Sequence, residues 1–140
     1  MKLSPEMQKS FTDEIRFVIE RMKNASENTE KLYFFSAVYA QALRIINFEY
    51  HPELLFIYQI TQLVYGMLNG RISAIKMGQE GGISIPDGLF DSLEGALEEL
   101  ADNISNGKES YSALQKMVNL AYTTTGNGYY MYLRGAIKLK

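Results

Sequence analysis

Apolar residues recur along most of the chain at the three- and four-residue steps of an α-helix. Met7, Phe11, Ile15, Val18 and Met22 make one such stripe. Ser4-Pro5-Glu6 opens it: a serine able to cap, a proline whose missing N–H costs nothing at the first helical position, and an acid at the positive end of the helix dipole. The pattern predicts a first helix from Pro5 to near Asn24 and, after a short polar connection, a second over about 30–50. His51-Pro52 ends the second helix, because the residue before a proline is pushed out of the helical region. Pro52-Glu53 then opens a third helix running to about Met77, with Gly78 as its left-handed cap.

The segment 79–85, with its Gly81-Gly82 pair, reads as the longest loop. A fourth helix is predicted over about 87–105, carrying Leu89, Leu93, Leu97, Leu100 and Ile104 on one side. The fifth is predicted to begin near Lys108 or Glu109. Threonines and tyrosines around Gly126-Asn127-Gly128 would also suit a β-hairpin. Helical phase argues otherwise: at 100° per residue, Tyr111, Leu114, Val118, Ala121 and Tyr122 are continued on the same side by Tyr129, Tyr132, Leu133 and Ala136. One long final helix is therefore expected. The fold class that follows is all-α, an antiparallel bundle of about five helices, four long core helices with one packed alongside, in a single domain over 1–140.

Composition narrows the function classes. Hydrophobic residues make up 46% and charged residues 21%, a globular balance. There is no cysteine, which removes disulfides, thiolate metal sites and cysteine nucleophiles and agrees with a reducing, cytoplasmic setting. The N-terminus lacks a signal-peptide apolar core, and the longest apolar stretches are interrupted by Gln41, Arg44, Asn47, Gln59 and Gln62, so no membrane span is expected. The net charge of −2 conceals three blocks, about +1 over 1–76, −7 over 77–107 and +4 over 108–140. The acidic and basic blocks are expected to pack together. The overall acidity argues against a nucleic-acid partner.

Candidate chemistry is sparse. His51 is the only histidine, so a di-iron site built on two Glu-x-x-His pairs is excluded. No nucleophile elbow or phosphate loop is present, and no motif names a cofactor. Arg44 and His51, with six residues between them, resemble the arginine–histidine spacing of the HEPN class of small helical ribonucleases; in that class the pair lies on one helix, whereas Pro52 places His51 at a break. Asp87, Asp91, Glu94, Glu98 and Asp102 share one line of the fourth helix, a pattern of solvated faces and, less often, of cation sites.

Two functional expectations follow. The second helix is apolar almost all round, so it is expected either at the bundle's centre or as a subunit interface through Phe34, Phe35, Val38 and Tyr39, giving a homo-oligomer, most simply a dimer. Alternatively, the uncharged strip Gln59, Gln62, Gly66, Asn69 and Ser73 could wall a cleft for a small molecule such as a nucleotide or flat cofactor. Tyr129, the other tyrosines and His51 would contribute to it, with Arg44 or Arg134 meeting an anion. Gly66, Gly70 and Ala74 also permit close backbone approach along that strip.

Overall fold

The computed structural model describes residues 1–78 and 85–125. Five α-helices occur among them: α1 (Pro5–Asn24), α2 (Asn28–Ile46), α3 (Pro52–Lys76), α4 (Leu89–Ser105) and α5 (Tyr111–Thr125). The fold is an all-α bundle, and no strand occurs among the described residues. The expected continuation of the last helix through Gly126–Gly128, with Tyr129 and Arg134, lies outside the described residues, as does the Gly81-Gly82 loop.

Local signals set most boundaries. Ser4 caps α1, its Oγ accepting from the Met7 N–H at 3.4 Å, and Pro5 is the first helical residue. α2 stops at Ile46, four residues before the expected end. There the N–H groups of Phe48 and Glu49 both turn back to the Ile45 carbonyl, and the Glu49 carboxylate accepts the Ser4 N–H at 2.9 and 3.1 Å. The chain needs those residues to reverse into Pro52. α4 begins at Leu89 rather than Asp87, because Gly88 takes the left-handed conformation at φ 81°. Gly107, also left-handed, closes α4: its N–H reaches the Ile104 carbonyl, and the Lys108 N–H reaches that of Asn103 at 2.8 Å, the two bonds of a Schellman cap. This turn takes up the residues expected to start α5, which begins instead at Tyr111.

The helices close a ring in the order α1, α2, α3, α5, α4 and back to α1. Gln41 on α2 meets Ser10 on α1, while Lys31 meets the Met22 carbonyl, so these two helices run in opposite directions. Arg16–Asp102 and Lys23–Glu98 show the same for α1 and α4. α3 and α5 are the exception: Phe56 stacks edge-on with Tyr111 at their starts, and Arg71 bonds the Thr125 carbonyl at their ends, so they run parallel. A ring with an odd number of members cannot alternate direction at every seam, and this is where the alternation fails.

Inside the ring Phe11, Ile15, Met22, Phe35, Leu68, Leu93 and Leu97 are wholly buried. Each contributes about 1.5–3 kcal/mol of burial. At one end, Glu53 on α3 is buried and ties three segments together. It accepts from the Ser110 hydroxyl at 3.1 Å and lies 3.5 Å from the Met1 amino group, which also donates to the Lys108 carbonyl.

α2 is not central. It packs against α1 and α3, and its remaining side is open, with Tyr33 and Leu43 exposed. Phe35 and Val38, expected at a subunit interface, have no exposed surface and belong to the core. On an evenly apolar helix, only the position of the two neighbours decides which aromatic turns inward.

Candidate functional site

Charge divides the ring into two sides. α1 carries eight charged residues and α4 five, against three on α2, three on α3 and one on α5. The acids of α4 are met by α1: Arg16 bonds Asp102 at 3.1 Å, and Lys23 lies 3.9 Å from Glu98. Of the expected partner, the basic face of the final helix, the described residues include Lys116, which meets Glu99 at 2.6 Å; Arg134 and Lys138 lie outside them. Among the described residues no group of three or more carboxylates or imidazoles is placed to hold a metal ion; of the acidic line, Glu98 and Asp102 form the ion pairs with α1.

The opposite side is centred on α3. Positions 54–70 hold 17 residues without one charge. Leu54, Ile57, Thr61, Val64 and Leu68 point into the core, and the Thr61 hydroxyl is absorbed by the Ile57 carbonyl at 2.7 Å. The outward side presents Leu55, Gln59, Gln62, Leu63, Gly66, Asn69, Gly70 and Ser73, all exposed, with Leu63 at 50%. Exposed Met77 extends it at one end. Towards α5 an apolar groove of about 300 Å³ runs between Phe56, Ile60, Tyr111, Leu114 and Val118. Towards α2 the rings of Tyr58 and Tyr65 stand edge-on to Tyr39, at 6.2 and 5.6 Å. Burial pushes the Tyr39 hydroxyl above the ordinary tyrosine pKa, and its tyrosine neighbours reinforce this against a bond with Ser36. The Tyr39 phenol is therefore a neutral packing group.

Gln59, Gln62 and Asn69 thus share one face, as their spacing requires, but that face is the outer surface of a helix. None of the three lines a described cavity. Arg44 lies on α2 and donates to Gln41 at 3.2 Å. His51 is the residue before α3, 3.9 Å from Glu49. The two sit on opposite sides of a helix break, unlike a pair carried on one helix. Phe34 is partly covered by Arg21 of α1, whose guanidinium lies 5.2 Å from its ring centre. Tyr39 belongs to the tyrosine cluster.

A cleft of about 520 Å³ lies elsewhere, between the start of α4 and α5. Of its polar groups, Lys116 is engaged by Glu99, and the Thr123 and Thr124 hydroxyls by carbonyls one turn back in their own helix; Asp87, Ser92 and Asn119 line it as well. Neither Tyr39 nor Glu94, the described residues with displaced pKa values, lines it.

Leu55, Leu63 and Met77 were not singled out by sequence reasoning, since an isolated leucine reads as core, and Tyr111, expected on the inward side of the last helix, is instead 47% exposed. The available signal was the charge-free run between Glu53 and Arg71, too long for a helix with one side in water. Among the described residues no helix is long and apolar enough to cross a membrane. Comparison of the chain with protein-family models, curated proteins and solved structures gives no match.

Proposed function

We propose that this chain is a cytoplasmic interaction protein that self-associates through the uncharged face of α3, flanked by α2 and α5, and acts as a homo-oligomeric scaffold. The observation that carries the reading is the contrast between the two sides of the ring. Where the bundle faces water it is densely charged, on α1 and α4; along α3 it exposes leucines, amides and glycines over 17 residues with no charge. An uncharged surface of this length, with leucines exposed between amides and glycines, suits a contact surface. Interfaces also deplete charge at their centre and favour aromatic residues, here the Phe56–Tyr111 pair and Tyr39, Tyr58 and Tyr65.

Light scattering across a concentration series tests this. The wild type is expected to rise to at least twice the chain mass and Leu63→Glu to stay at the chain mass with unchanged helix content, because Leu63 is half exposed and its loss leaves the core intact. Added sulfate is expected to strengthen the association, as for apolar burial, whereas contact through the charged α1–α4 side would weaken with salt. Chain-mass particles at every concentration would remove the proposal.

A further inference from the structure

Resting on that self-association, the geometry points to one arrangement: α3 packs antiparallel against α3 of a second copy, about a twofold axis at Gly66. A twofold contact sets one surface against itself, so it must be self-complementary. The outer stripe of α3 meets this condition. An uncharged surface can face its own copy without like-charge repulsion, and amides both donate and accept, so Gln and Asn can pair with the same residue types. The charged α1–α4 side has neither property.

The outer positions of the stripe point to the axis. Of the pairs equally far from Gly66, the inner ones differ in kind, Leu63 opposite Asn69 and Gln62 opposite Gly70, and the outer ones match: Leu55 lies eleven residues before it and Met77 eleven after, both exposed and apolar. Gln59 and Ser73, seven residues to either side, are both exposed and polar. Antiparallel packing about Gly66 therefore sets the apolar ends against each other and Gln59 beside Ser73, with each positive helix end beside the negative end of its partner. Parallel packing would align the two dipoles.

Area agrees with a stable dimer. The 25 residues of α3 extend about 37 Å at 1.5 Å each. With flanks from α2 and α5 the face is about 20 Å wide, two helix spacings, and so offers about 700 Å² per partner, close to the ~800 Å² of a standard interface. The glycines then mark the crossing. A Cβ at Gly66 or Gly70 would meet nothing within 4 Å inside the chain, so no internal contact requires glycine there. Gly95 on α4 is equally open but lies among Asp91, Glu98, Glu99 and Asp102, where no apolar surface surrounds it.

The sequence has no cysteine, which makes directed cross-linking clean. Full-length Gln59→Cys and Ser73→Cys, both at exposed positions, are treated with a short bismaleimide singly and as an equimolar mixture, with light scattering alongside. The mixture is expected to give a covalent heterodimer. Each variant alone is expected to give none, because two copies of position 59 stand about 21 Å apart along the axis. Cross-linking of each variant with itself would overturn the antiparallel register. Dimers by scattering without any cross-link would overturn the α3 contact while leaving self-association standing. Chain-mass particles throughout would overturn both.

Discussion

Replacing Gly66 by glutamate separates the stability of one chain from the contact between two, because the effects have opposite signs. Within the chain the new Cβ meets no atom within 4 Å and the side chain enters water. Glutamate is better than glycine in a helix interior by about 0.5 kcal/mol, which raises Tm by about 2 °C for a chain of this size. Between chains, two carboxylates at the axis would stand about 6 Å apart. At an effective dielectric of about 20 they repel by about 2.8 kcal/mol, a roughly hundredfold weakening. Gly66→Lys is expected to act alike, with the sign of the charge reversed. An equimolar mixture of the two variants then turns repulsion into attraction and restores the dimer. Sedimentation equilibrium at low salt reads the association, and thermal unfolding of dilute samples reads the fold. Wild-type association in both variants, or a mixture no tighter than either alone, would refute the axis at Gly66. A lowered Tm in the dilute variants would refute the open space around it.

Three further outcomes are expected. Burial pushes the Glu94 carboxyl above its ordinary 4.5; Lys31 and Lys23 oppose the rise and Asp91 adds to it. A carboxyl raised in the folded state contributes its stability below the unfolded pKa and loses it as pH climbs through the folded one. Glu94→Gln is thus expected to be more stable than wild type at pH 7, with the gap closing below about pH 4, in urea titrations at both values. Thr12 is buried, and its hydroxyl has no partner among the described residues, so Thr12→Val is expected to gain about 1 kcal/mol; a lower urea midpoint would show that the hydroxyl is bonded. Glu53→Ala leaves the Ser110 hydroxyl and the Met1 amino group without their carboxylate and is expected to cost about 3 kcal/mol, against about 1 for Ser110→Ala, by chemical denaturation.

Much of the site was legible in outline. The α3 strip was read as polar and nearly uncharged from spacing alone, and its residues do share one face. Its surroundings were not legible. Whether such a strip walls a cleft or stands at the surface depends on which helices flank α3, and that depends on contacts between residues far apart in the chain. Phe34 and Phe35 show the same limit at close range: one position, 100° of helix, separates a ring covered by Arg21 from one in the core.

What the chain's own residues determine is local. Ser4-Pro5, His51-Pro52 and Gly78 act on backbone angles and hydrogen bonds within one turn, so the helices and most of their ends follow from near neighbours. The tertiary structure alone decides the ring order, the parallel α3–α5 seam, and which bases meet the α4 acids, Arg16 and Lys23 of α1 and Lys116 of α5. Burial and ion pairing belong to whatever side chain arrives from across the bundle, and no periodicity along one segment encodes which one that is.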